Sequence, residues 1–189
     1  MRREEPGDPG RDVRLRAWAE DDLETLRHLN SPETTAHLGG PETEEKVLDR
    51  HRKYLAMDDP AEGRMFTVRL GPADTAVGSV GYWSREWRGE QVYEAGWGVL
   101  PRFQGRGLAV RATRLLVEEV RSAGLHRPLH AFPSVDHGAS NGVCRGAGFS
   151  LLGTYDFEYP PGRSIRCNDW CLEPAGAVPA PQAAPPHEV

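Results

Sequence analysis

The chain has 189 residues, 38% hydrophobic and 27% charged, with a formal net charge of −5. That length suits one α/β domain with a substantial core and is short for two, and the acidic balance argues against a general nucleic-acid binder, whose surface is ordinarily basic. No apolar run approaches the roughly 20 residues of a membrane-spanning helix, and the polar N-terminus is no secretory signal, so a cytoplasmic protein without membrane contact is expected.

Residues 1–12 are charged and carry Pro6 and Pro9, and residues 174–189 are mostly proline and alanine. Both read as disordered tails around a folded unit of residues 13–173. Val13, Leu15 and Ala17 alternate with arginines as a first strand. Glu20, Asp21 and Asp22 then place acids in the first turn of a helix, where they complement its dipole, and Leu23, Leu26 and Leu29 form its apolar stripe. Gly40-Pro41 predicts the start of a second helix, because proline suits the first helical position; Val47, Leu48, His51, Tyr54 and Leu55 share one face of it. Phe66, Val68 and Leu70 alternate as a strand. Val77–Trp83 and Val92–Leu100 are two further strands, joined by a polar connection containing Gly89. Leu108, Ala112, Leu115, Leu116 and Val120 recur at helical spacing, and Gly124 is placed to end that helix. Leu129–Val135 reads as a short buried strand and Ser140–Ala147 as a short helix closed by Gly148. Phe149–Glu158 and Ser164–Leu172 pair across Pro160-Pro161-Gly162. The order β-α-α-β-β-β-α-β-α-β-β predicts an α/β (α+β) domain, a mixed and mostly antiparallel central sheet with helices on both faces.

The chemistry concentrates in Val99-Leu100-Pro101-Arg102-Phe103-Gln104-Gly105-Arg106-Gly107-Leu108-Ala109. A strand that runs through a glycine-rich turn into a helix N-terminus directs several unpaired N–H groups at one small volume, and the helix dipole there favours a phosphate or pyrophosphate. Gly105 and Gly107 let backbone approach oxygen closely; Arg102 and Arg106 add cationic reach. The absence of Gly-Lys-Ser/Thr argues against a nucleoside-triphosphate loop. The missing third glycine, after an antiparallel strand, argues against a dinucleotide fold. On these residues alone, a tight turn before a core helix stays open as the alternative.

Arg102-x-x-Gly105-x-Gly107 resembles the Gln/Arg-x-x-Gly-x-Gly/Ala motif of the GNAT superfamily of N-acetyltransferases. The stretch from Asp136 to Phe149, with His137-x-x-Ser140 and a closing Gly148-Phe149, is similar to the branch that includes ribosomal-protein N-terminal acetyltransferases. The resemblance runs from about Val13 to Leu172. It implies that the strand carrying Val99 splays from its neighbour and admits acetyl-CoA as cosubstrate. Backbone groups of Val99 and Leu100 then meet the pantetheine arm, and the turn from Arg102 through Gln104, Gly105, Arg106, Gly107 and Leu108 to Ala109 holds the pyrophosphate. Ser140 and His137 are further cofactor contacts, although His137 stands where the branch usually has asparagine. The acceptor implied is an amine-bearing small molecule or peptide; its identity, the acyl length and a homodimer stay open.

Acyl transfer to an amine needs the amine neutral, and a carboxylate is the usual proton acceptor. Glu94, in Tyr93-Glu94-Ala95-Gly96-Trp97-Gly98-Val99, occupies the position where many GNAT enzymes keep such a glutamate; an exposed strand residue is the other reading. Cys144 falls where the family often has a tyrosine that protonates the departing thiolate. It is a candidate acid or simply a small buried hydrophobe, with Tyr155 and Tyr159 as substitutes. Cys144, Cys167 and Cys171 form no disulfide framework and no zinc spacing, so no metal is expected. Trp83, Trp87, Trp97 and Trp170 are candidates to line an acceptor pocket built mainly from residues 30–60 and the connection Ser84–Gln91. A rival from another class is an acyl-CoA-binding regulatory module without turnover.

Overall fold

A computed structural model describes residues 12–158, 162 and 164–174. The expected tails, apart from Asp12 and Pro174, therefore lie outside the described residues, as do Tyr159, Pro160 and Pro161. One seven-stranded sheet organises the chain in the order β1-β2-β3-β4-β5-β7-β6. Its strands are β1 (Val13–Ala17), β2 (Gly63–Leu70), β3 (Thr75–Trp87), β4 (Glu90–Val99), β5 (Leu129–Ala131), β6 (Ser150–Glu158) and β7 (Ser164–Leu172). Every pairing is antiparallel except β4 with β5. Helices α1 (Leu23–Leu29), α2 (Pro32–Thr35) and α3 (Glu44–Leu55) come before β2; α4 (Leu108–Ser122) and α5 (Gly138–Ala147) flank β5 in sequence.

The mixed, helix-covered sheet is the predicted one, and two packed layers build it. Leu108, Ala112, Leu116, Val117 and Val120 of α4 bury themselves against Val68, Val80, Tyr93, Ala95 and Trp170. Leu26, Val47, Trp18 and Met65 form the opposite layer, where Trp83, Tyr54 and Leu55 join them. Among the described residues no helix is long and apolar enough to cross a membrane.

Several boundaries differ from the sequence reading, and four stand out. The second predicted helix begins at Glu44, not at Pro41, because Thr43 caps it: the Thr43 Oγ1 accepts from the Lys46 amide at 3.4 Å, and a hydroxyl that satisfies an orphan amide sets a helix start better than proline does. Asn30 holds the loop before it, its side chain bonding both the amide and the carbonyl of Glu42. The proline rule instead operates at Pro32, in the unpredicted α2, behind the Ser31 cap. β5 stops at Ala131, short of Val135, since Pro133 has no N–H for a ladder. α5 starts at Gly138, two residues before Ser140, with His137 at its N-cap.

The fourth difference matters most. β3 continues past Trp83 to Trp87, and only Arg88 and Gly89 separate it from β4. Both have positive φ, 53° and 84°, the signature of a two-residue type I′ hairpin. The expected loop Ser84–Gln91 is thus ladder almost throughout, and Arg85 and Trp87 become strand residues on the same face as Trp83.

Candidate active site

β4 is the axis of the site. Successive side chains on a strand point to opposite faces, so Tyr93, Ala95, Trp97 and Val99 face α4 while Glu94, Gly96 and Gly98 face α1 and Trp83. The spacing on that second face is tight: a Cβ at Gly96 would meet the Trp83 ring at 2.7 Å, and one at Gly98 would meet Leu29 at 3.1 Å. The two rows of side chains have different jobs, packing on one side and a floor on the other.

The edge of β4 toward β5 opens early. The strands pair only at Tyr93↔Leu129 and Glu94↔His130. Beyond Glu94, β4 runs on through Ala95–Val99 while the β5 chain turns away at Pro133. This is the splay that the resemblance implies, and it starts beside the candidate base.

At its end the open strand enters the glycine turn. The residues 101–103 form one 3-10 turn, Gln104 is extended, and Gly107 caps α4 in the left-handed region. Gly105 and Gly107 have φ of +71° and +72°, and a Cβ at either would meet nothing within 4 Å. Their need for glycine is therefore conformational, and the space beside them is free for a ligand. The first bond into α4 runs from the Arg111 amide to the Gly107 carbonyl at 3.1 Å, so the amides of Leu108, Ala109 and Val110 point out of the helix end. Leu108 is buried, anchoring that end in the core. Phe103 is a feature the sequence reading passed over: the guanidinium groups of Arg102 and Arg106 stand over its ring, 5.0 and 5.9 Å from the centroid. One half-buried phenylalanine holds both cations beside the outward amides. Gln104 turns inward, its Nε2 donating to the Val99 carbonyl at 2.9 Å. Glycines of free approach, oriented amides and two racked arginines fit a diphosphate.

Glu94 is half-buried. Its neighbours are not Tyr93 and Trp97, which point to the other face. Trp83 Nε1 donates to Glu94 Oε2 at 3.2 Å, and Arg85 Nη1 ion-pairs with the same oxygen. Among the described residues nothing donates to Oε1, so one oxygen of the carboxylate is open to a proton.

Behind this pair lies a buried chain that sequence reasoning missed. His130 Nδ1 meets Asp169 Oδ1 at 2.6 Å, and Trp87 Nε1 donates to Asp169 Oδ2 at 2.9 Å. His130 and Asp169 are both buried. No local pattern announces it, because the pairing of His130 with β7 is a long-range fact.

Cys144 is fully buried in the core against α4, and burial pushes its thiol up to about 12. A thiol so placed holds its proton against a thiolate whose ordinary value is about 8.5, so its position belongs to packing. Cys171 is pushed to about 12 and Cys167 upward by the same cause. All three are free and buried. Of the tyrosines considered as substitutes, Tyr155 receives a hydrogen bond from Arg88 at 2.8 Å.

His137 is no free loop residue. Its ring stacks on His37, with centroids 4.1 Å apart and 15° between planes. Burial, and then the neighbouring His37, push its pKa down. Ser140 is half-buried on α5, and next to it Asn141 ties the helix to β7: its amide donates to the carbonyls of Ser134 and His137, and its oxygen accepts from Asn168 and Trp170. A cleft of about 240 Å³ opens beside the stacked histidines, between His37 and Gly39 on one wall and Asp136 and Arg166 on the other, with Ile165 among its lining residues. Of the four tryptophans expected at a pocket, Trp83 and Trp87 share the Glu94 face, while Trp97 and Trp170 pack on the α4 side. Ala36, His37 and Gly39 line this cleft together with residues 134–136 and 164–166. Among the described residues no group of three or more His, Cys, Asp or Glu could hold a metal ion.

An open strand edge leads directly into the glycine turn before α4. The family model for the acetyltransferase (GNAT) domain matches residues 12–150, and the chain belongs to that family. No curated protein matches by sequence. Solved structures are similar in fold. An acetyltransferase from Salmonella typhimurium that modifies the N-terminal serine of ribosomal protein L7/L12 is 18% identical, with a TM-score of 0.71 over 88% of this chain and 98% of that one. Spermidine N-acetyltransferase from Vibrio cholerae, in complex with CoA and spermine, is 18% identical, with a TM-score of 0.70 over 86% and 95%. The microcin C7 self-immunity acetyltransferase, bound to acetyl-CoA and AMP, is 16% identical, with a TM-score of 0.71 over 86% and 93%.

Proposed function

We propose that residues 13–173 form an enzyme that transfers an acetyl group from acetyl-CoA to a primary amine, with Glu94 as general base. The observation that carries this reading is the continuity of the site: the unpaired edge of β4 runs without interruption from Glu94 into the glycine turn. Val99 is five residues beyond Glu94, about 17 Å at the usual strand rise, a distance suited to an extended pantetheine arm. The amides from Gln104 through Gly105, Arg106 and Gly107 to Leu108 take the diphosphate, with Arg102 and Ala109 adjoining. Val99 and Leu100 meet the arm on one side, His137 and Ser140 on the other. Amine-bearing acceptors are named for two of the similar structures, the N-terminal serine of a ribosomal protein and spermidine.

Glu94 receives the proton of the acceptor ammonium, directly or through water, at its open Oε1. The freed nitrogen attacks the acetyl carbonyl; the C–N bond forms, the C–S bond breaks, and coenzyme A departs as thiolate. As the C–S bond breaks, the acylated nitrogen sheds its second proton to water, and water in turn protonates the thiolate; Cys144 is left out of this scheme because of its burial.

The test is thiol release from acetyl-CoA in the presence of an amine panel. Glu94→Gln is expected to lower kcat by about 10²–10⁴-fold and to leave coenzyme A affinity unchanged. Coenzyme A binding with no release from any amine would favour the non-catalytic regulatory module.

A further inference from the structure

The face of β3 and β4 that carries Glu94 holds a second construction. The Arg85 guanidinium carbon lies 4.8 Å from the centroid of Phe132, 5.3 Å from Phe157 and 5.8 Å from Trp87. These three rings also touch one another: Trp87 stacks on Phe157 at 5.0 Å, Trp87 meets Phe132 at 5.0 Å and Phe132 meets Phe157 at 5.2 Å. Glu94 closes the fourth side through its ion pair with Arg85. Three aromatic walls and a carboxylate are the elements from which proteins build sites for ammonium cations.

The box is also braced from behind. The Trp87 indole is fixed by Asp169, and Asp169 by the buried His130. Rigid support of this kind is what a binding site needs and a surface ion pair does not. It is reachable, too: the Arg85 side chain is 30% exposed, and Phe157 pairs across the ladder with Ile165, which lines the neighbouring cleft.

We infer that Phe132, Phe157, Trp87 and Glu94 form the subsite for the acceptor's alkylammonium group, and that Arg85 fills it in the resting protein as an internal stand-in. This rests on the acetyltransferase reading and narrows it: the acceptor is a cation that must displace Arg85 to present its nitrogen to Glu94. Arg85 is then a specificity-determining residue, because weakly cationic or anionic amines cannot evict it.

The probe is tetramethylammonium, which carries the charge and shape of the acceptor head but cannot be acetylated. Binding is followed by the Trp87 indole N–H resonance in the full chain. Arg85→Ala is expected to bind the probe at least tenfold more tightly than wild type. Arg85→Lys, which keeps a cation in the box, should stay near wild type, and Arg85→Ala/Phe132→Ala should lose the gain. Arg85→Gln, which removes the charge and keeps most of the packing, carries the same expectation at smaller size should the alanine variant fail to fold. No gain in either neutral variant, or a gain that survives Phe132→Ala, overturns the inference. Thiol release from acetyl-CoA with the amine panel, measured on the wild-type protein, reports separately on the acetyltransferase reading.

Discussion

At the scale of single residues, burial decides which side chains can do chemistry. Cys144 sits at a position where an acid would be useful, yet it has no exposed surface and its thiol is pushed to about 12. Cys144→Ala is expected to keep wild-type turnover and to cost about 1–2 kcal/mol of stability, the usual scale for removing a small buried group; turnover reduced a hundredfold in a folded variant would return the thiol to the mechanism. His137 makes a prediction in pH. Its folded pKa is pushed down, so the folded protein prefers the neutral ring while the unfolded chain takes a proton near 6.5. The unfolded state therefore binds more protons as pH falls below about 6.5. The contribution of His137 to stability is full above that pH and declines below it. Melting temperatures at pH 7.5 and 5.5 check this: wild type should lose more on acidification than His137→Gln, and equal losses would show that the stacked pair plays no part.

At the scale of elements, the turn before α4 is the decisive piece, and its demands are separable. Gly107 is held at φ +72° with open space where a Cβ would project. An alanine there meets no protein atom, so its cost to folding is the strain of the left-handed region alone, about 1–2 kcal/mol. The same Cβ stands beside the outward amides, where a ligand oxygen must approach. Gly107→Ala is therefore expected to weaken coenzyme A by tenfold or more while unfolding only slightly earlier in denaturant. Comparable affinity in the variant would mean the diphosphate lies elsewhere. The element scale also shows what could be read in advance. The turn, the apolar stripe of α4 and the alternation of β2 were legible because each is a local pattern of three to fifteen residues. The start of α3 was missed because Thr43 competes with Pro41, and a cap bond of this kind depends on the loop that Asn30 pins from twelve residues away. The end of β3 was missed because Ser84 and Glu86 read as loop residues, whereas ladder pairing with β4 carries the strand on to Trp87.

At the scale of the whole molecule, the site exists because the sheet brings together segments far apart in sequence. Glu94 comes from β4, its partner Arg85 from β3, the brace from His130 of β5 and Asp169 of β7, and the glycine turn from the loop before α4. Sequence alone singled out Glu94 and the turn and linked them through the family resemblance. It left the surroundings of Glu94 unspecified and Arg85 unremarked. Those relations follow from strand register and from which face each residue takes, and register is set by pairing across tens of residues. The open edge of β4 has a consequence for the whole fold: a ligand that fills it and binds only the folded state must stabilise the protein by mass action, by about 2.7 kcal/mol at a hundred times its Kd.

The glycine turn and the open β4 edge are proposed to grip coenzyme A. Isothermal titration of the folded chain with coenzyme A tests it directly. Saturable, one-to-one heat, with a higher melting temperature in the presence of excess ligand, is the predicted result. A flat titration on protein shown to be folded would contradict it.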